Sequence, residues 1–242
     1  MNRVVDNIYL SAIDAGLPGD KLMRFRLTYQ GPLLAKQNDP RNGQIDKKAP
    51  HVHAIRRSFH EQLKRLWQTN RFLSEHKVWR SDYGAPDLLH DGLSRWTKDE
   101  AEREPMVDVV ADLYRENGYR FVPLVRKDWH LCCDISVLFL RHDPPGSLVH
   151  AGDIDNRMKT LLDALRKPDN AAELRENESP QDGEDPFFVL LEDDKLVTAL
   201  SIETDTLLDA GTGKTPIASH VHLIVTASIR PLYATTFNLS FA

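Results

Sequence analysis

The chain has 242 residues, 41% of them hydrophobic, which is enough to close one sizeable core; global disorder is excluded, and a single decorated domain over residues 1–242 is predicted. No apolar run reaches the roughly 18 residues that span a bilayer. Met1–Leu22 carries Arg3, Asp6, Asp14, Asp20 and Lys21, unlike a secretory signal. The net charge of −5 is local, because Asp169–Asp185 alone holds seven acids against Arg175 and leaves the rest at +1, so charge neither supports nor excludes a nucleic-acid partner.

Along the chain, Phe25, Leu27 and Tyr29 alternate with Arg24, Arg26 and Thr28, predicting a half-buried strand over 22–29. After a turn-rich loop, Val52, Ile55, Phe59, Leu63 and Leu66 recur at helical spacing and predict a helix over about 51–68. Arg56, Arg57, Lys64 and Arg65 are assigned to its solvent side. Residues 70–120 read as an irregular insertion with one good helix. Thr97 and Glu100 suggest a capping box, Pro105 a first-turn proline, Met106, Val109, Val110 and Leu113 an apolar stripe, and Gly118 the stop.

Trp129–Leu140 alternates with Leu131, Cys133, Ile135, Val137 and Phe139 on one face, a second strand. Cys132 and Cys133 are the only cysteines. As strand neighbours they point to opposite faces and cannot pair, which suits a reduced cytoplasmic protein. A helix follows over about 155–166, then the acidic segment, a strand from Lys195 to Ile202, and a last strand from His220 to Ile229. The order β-α-(insertion)-β-α-β-β predicts an α/β or α+β domain with a mixed sheet and helices on it.

The chemistry-bearing stretch is Gly152–Leu165. Met158, Leu161, Leu162 and Leu165 form one apolar helix face, and Asp155, Lys159 and Asp163 recur at i, i+4 on the polar side. Asp153 stands two residues ahead of Asp155, so both carboxylates sit at the positive end of the helix. Downstream, Glu192, Asp193 and Asp194 lead into a strand. Four close carboxylates and a lysine suit a hard cation, Mg²⁺ or Mn²⁺, at which a phosphodiester is hydrolysed while the lysine stabilises phosphoryl charge. The competing reading makes Asp153 and Asp155 helix caps and Asp155–Lys159–Asp163 a ladder of surface ion pairs.

The pattern D-x-D-N-x-x-K-x-x-x-D-A-L (Asp153, Asp155, Asn156, Lys159, Asp163, Ala164, Leu165), followed by an apolar residue and Asp193-Asp194 before a strand, resembles the signature of the RusA family of Holliday-junction resolvases. The resemblance covers about residues 22–66 and 122–230 and leaves roughly 70–120 and 169–186 as insertions. It implies a RusA-like β-α-β-α-β-β fold and a Mg²⁺-dependent endonuclease that resolves branched DNA in recombination or repair as a homodimer. By position, Asp153, Asp155, Lys159, Asp193 and Asp194 become the catalytic set, with the four aspartates as metal ligands. Arg56, Arg57, Lys64 and Arg157 are the weaker candidates for DNA contact. The alternative is an inactive RusA-like scaffold that binds nucleic acid or protein.

Gly211-Thr212-Gly213-Lys214-Thr215 imitates the end of a P-loop, but position 208 is Leu208 where the first glycine belongs. His51, His53, His60, His130, His142 and His150 match no zinc spacing and are expected at the surface.

Overall fold

A computed structural model describes residues 23–34, 48–80, 99–142, 153–174, 178–208 and 220–233, with Asn238 and Phe241. In chain order the elements are β1 (Met23–Pro32), α1 (Lys48–Thr69), α2 (Arg71–Glu75), β2 (Lys77–Val78), β3 (Glu104–Pro105), α3 (Met106–Leu113), β4 (Arg115–Glu116), β5 (Tyr119–Val125), β6 (Leu131–Arg141), α4 (Asp153–Leu165), β7 (Phe187–Leu191), β8 (Val197–Thr206) and β9 (His220–Pro231). Short 3-10 turns occupy Glu100–Glu102, Ala171–Glu173 and Asp194–Leu196.

Alternating sequences build the principal sheet, ordered β1-β9-β6-β8. Strand β9 pairs antiparallel with β1 and β6, while β8 pairs parallel with β6, so the sheet is mixed as predicted. One face buries Leu27 and Tyr29, then Val221, Leu223, Val225 and Ala227, then Leu131, Cys133, Ile135, Val137 and Phe139. These join one core with Val52, Ile55, Phe59 and Leu63 of α1 and Met158, Leu161 and Leu165 of α4. Cys132 and Cys133 are both buried and free. No helix among the described residues is long and apolar enough to cross a membrane.

A second sheet, β4-β5-β7, packs against α1 through β7 and against α3 through β5, and it went unread in the sequence. Its parallel pair, β5 and β7, reads Tyr-Arg-Phe-Val-Pro-Leu-Val and Phe-Phe-Val-Leu-Leu and is buried almost throughout. Parallel strands covered on both faces lose the period of two that identifies a strand.

The segment read as an insertion is therefore partly core. Met106, Val109, Val110 and Ala111 of α3 are buried with the main cluster. Asp99, rather than the predicted Thr97 (which is outside the described residues), caps the first 3-10 turn by accepting the Ala101 N–H at 2.9 Å. Gly118 does not end α3, which stops at Leu113. It forms the β4–β5 turn with Asn117, at φ +81° and +48°, an Asn-Gly pair of the kind tight hairpins favour. A Cβ on Gly118 would meet only Pro180 Cδ at 3.9 Å, so backbone conformation rather than crowding sets its cost. Gly118→Ala is expected to lower stability by about 1 kcal/mol, read as a lower urea midpoint at constant slope; an unchanged midpoint would reject the left-handed turn.

The predicted solvent face of α1 is wrong at Arg56. Its side chain is 0% exposed and points into the protein. Nη2 donates to the Asp163 carbonyl at 2.8 Å and Nε to the Arg166 carbonyl at 3.0 Å. The N–H of Lys167, which would have continued the helix to Asp163, donates instead to Leu191 O at 2.9 Å. Arg56 thus caps the last turn of α4 from outside, where orphan carbonyls and the negative end of the helix both favour a guanidinium. Burial lowers its pKa to about 10, leaving it charged at neutral pH. Arg56→Met strips two buried carbonyls of their donors and is expected to cost about 3 kcal/mol. A loss below about 1 kcal/mol in denaturant unfolding would show that water replaces the guanidinium.

Candidate functional site

Helix α4 spans Asp153–Leu165, against about 155–166 from the sequence, so Asp153 opens the helix and does not precede it. Met158, Leu161, Ala164 and Leu165 are buried, and Thr160 Oγ1 donates to Leu34 O at 3.1 Å. Arg157 donates from Nη1 to the Leu33 carbonyl, so helix and β1 exit are tied together. On the opposite side Asp155 and Lys159 are exposed. Among the described residues neither forms a hydrogen bond or ion pair, so the Asp155–Lys159–Asp163 ladder of the competing reading is absent. Asp163 belongs elsewhere: it is buried, and its Oδ1 lies 3.4 Å from Arg166 Nη2. The side chain of Asp153 is outside the described residues.

The other acidic pair leaves β7. Glu192 N–H donates to Val125 O at 2.9 Å, which turns the chain at the end of β5. Asp193 then caps the 3-10 turn, its Oδ1 accepting the Lys195 N–H at 3.0 Å. Its Oδ2 accepts from Lys127 Nζ at 2.8 Å, and Glu192 Oε2 accepts the Lys127 backbone N–H at 2.8 Å. The Lys127 ammonium holds the Asp193 carboxyl well below the usual carboxylate range. Asp194, beside it, is exposed. Lys127 was not singled out in the sequence; it sits in the β5–β6 turn, far along the chain from its partner, and no local spacing signals it.

The two acidic groups lie on adjoining elements. The last turn of α4 is stitched to the end of β7 by the Lys167–Leu191 hydrogen bond and an Arg166–Leu191 bridge. Asp193 leaves at that end, whereas Asp155 stands about 16 Å back from Arg166 along the helix axis at the usual rise per residue. Among the described residues no three His, Cys, Asp or Glu side chains gather closely enough to hold a metal ion. Asp193 is brought to Asp194 and Lys127; Asp155 and Lys159 are not brought to them. Oxygen donors of the right chemistry are present, but the described carboxylates do not by themselves close a cation site.

The weaker candidates for DNA contact are all engaged within the chain. Arg57 meets Glu178 and Glu184, each at 2.6 Å, and Lys64 Nζ donates to Gly183 O at 2.7 Å. With Arg56 and Arg157 committed to backbone carbonyls, none of the four predicted cations stands free for phosphate. The acidic segment accounts for Arg57 and Lys64, and its other acids hold further arginines: Asp169 and Glu173 pair with Arg166, and Asp185 with Arg120. Two histidines expected at the surface are also buried, His53 and His60, each 1% exposed. His150 and the Gly211–Thr215 loop are outside the described residues.

No protein-family model matches the chain, and no curated protein and no solved structure matches it.

Proposed function

We propose that this chain is a metal-dependent endonuclease of the RusA type, acting on branched DNA in recombination or repair as a cytoplasmic homodimer. The observation that carries the reading is the register of the motif on α4. Its apolar residues are buried, while Asp155 and Lys159 are exposed without a partner among the described residues. A helix whose acid and base served only stability would pair them at i, i+4. The same helix is stitched to the strand that delivers Asp193 and Asp194. Mg²⁺ or Mn²⁺ would be held by Asp153, Asp155, Asp193 and Asp194, and when bound it supplies charge stabilisation and an activated water for phosphodiester hydrolysis. Lys159 would neutralise charge on the phosphoryl oxygens. The reading requires the start of α4 and the Asp193–Asp194 turn to draw together around cation and DNA.

A second reading, an inactive scaffold that binds nucleic acid or protein, is favoured by the Lys127–Asp193 contact, which occupies one motif carboxylate with a cation of the chain itself. The two separate on one assay. Pure protein is incubated with a four-way junction, a flap and a linear duplex, in Mg²⁺, in Mn²⁺ and in chelator. The nuclease cuts branched DNA in the metal arms alone; no product on any substrate would leave the binding module.

A further inference from the structure

Among the described residues, strand β8 is an edge without protection. Among the described residues it pairs only with β6, and most of its ten residues are exposed. Parallel register sets Leu200 against Ile135 and Ile202 against Val137. The two β6 residues are buried at 2% and 0% exposure, but Leu200 and Ile202 on the same face are 42% and 38% exposed. The apolar face of the sheet therefore runs one strand farther than its cover.

Free edges are ordinarily blunted by charge or proline. The opposite edge, β1, is defended in this way by exposed Arg24 and Arg26 and by Gly31-Pro32 at its end. Strand β8 carries Ala199-Leu200-Ser201-Ile202, without charge, proline or glycine, and its acids come only later, at Glu203 and Asp205.

We propose that β8 is the contact surface for a second copy of this chain, the two β8 strands pairing antiparallel about a two-fold axis at Ser201. That register sets Leu200 opposite the partner's Ile202 on both sides of the axis, uniting four exposed aliphatic side chains on one face. Glu203 falls opposite the partner's Ala199 and Asp205 opposite the partner's Val197, so no carboxylate faces another. Moving the axis to Thr204 would set Glu203 against the partner's Asp205, a like-charge contact that rejects the slipped register. The two four-stranded sheets become one of eight strands, with both β8 edges removed from solvent and the defended β1 strands at its ends.

The surface deepens the homodimer part of the proposed function but stands on the sheet edge rather than on the nuclease reading. A dimer that cuts no DNA sustains it, and cleavage by a monomer overturns it alone.

Sedimentation and light scattering of the full chain at micromolar concentration are expected to give a dimer. Ser201→Cys is expected to form covalent dimers under mild oxidation, because facing residues of an antiparallel pair have Cα atoms about 4.5–5.5 Å apart, within reach of a disulfide. Cys132 and Cys133 are buried and do not compete. Leu200→Lys with Ile202→Lys is expected to give a folded monomer with unchanged circular dichroism, since both sites are already exposed. A wild-type monomer means that β8 is bare or covered by another segment of the chain, and overturns the proposal. So does a dimer that survives the double lysine variant, or one that fails to cross-link through position 201.

Discussion

Asp155→Asn is expected to slow cation-dependent cleavage of branched DNA between a hundredfold and a thousandfold, the usual scale for removing one charge-bearing group from a catalytic centre, while the protein melts within a degree or two of the parent. The second half follows from the surroundings of the side chain. Asp155 is exposed and no described residue pairs with it, so only its favourable position near the positive end of α4 is lost, a few tenths of a kcal/mol. Lys159→Met should behave alike, silent in unfolding and damaging in cleavage. Asp163, the third polar residue of the same register, is the internal control. It is buried against Arg166, so Asp163→Asn should lower stability and change cleavage only through folding. Cleavage retained in Asp155→Asn with the metal dependence of the parent would remove the α4 motif from catalysis.

That separation of Asp155 and Lys159 from Asp163 shows how far sequence reading reaches. Helix α4 was legible because everything that forms it is local: the apolar residues recur at helical spacing, and the polar ones follow from them. Strands β1, β6 and β9 were legible for the same reason, each burying every second residue. Strands β5 and β7 were not, because burial on both faces erases alternation and Pro123 argues against a strand within β5. Helix α1 misled through residue type. Its buried arc is wide enough to include His53, Arg56 and His60, which face β7 and the end of α4, and an arginine or histidine on a helix reads as solvent-exposed until its partners are known. Those partners are distant in sequence: Arg166 O for Arg56, Glu184 for Arg57 and Gly183 O for His60. The ion pairs of the acidic segment were not legible either, because its arginines lie on other elements. The candidate site divides at the same line. Its α4 half was read from spacing, whereas Lys127 on Asp193, and the distance of Asp155 from that pair, depend on how β5, β6 and β7 meet.

Histidines withdrawn from water make the fold acid-labile, and the expected loss is about 3 kcal/mol or more between pH 6.5 and 5. His53 Nδ1 lies 3.3 Å from Arg56 Nη1, which can only donate, so Nδ1 accepts and Nε2 carries the hydrogen toward Tyr119 Oη at 3.3 Å. His60 is fixed in the same way: Phe188 N–H donates to Nδ1 at 2.9 Å, and Nε2 faces Gly183 O at 3.2 Å. A proton on either Nδ1 would set donor against donor. Burial, with Arg56 and Arg57 nearby, lowers His53 to about 3, and burial, with Arg103 and Arg126, lowers His76 to about 4. His60 is lowered too, chiefly by burial. In the unfolded chain each titrates near 6.5. Below that pH the unfolded state takes up protons that the native state refuses, so stability present above pH 6.5 is lost as pH falls. The slope is about 1.4 kcal/mol per pH unit for each histidine. Two histidines still neutral at pH 5 account for about 3 kcal/mol, because the unfolded rings are only half protonated at pH 6.5, and His60 adds to it, against a typical total of about 5–15 kcal/mol. Ordinary carboxylates titrate near pH 4, so the window from 6.5 to 5 belongs to the histidines. Urea unfolding at half-unit steps of pH measures the slope directly. His53→Gln keeps an acceptor for Arg56 without a titrating ring and should reduce the slope by about one proton. Stability that stays level from pH 7 to 5 would mean that these rings reach water, and with them the interface of α1 with β7.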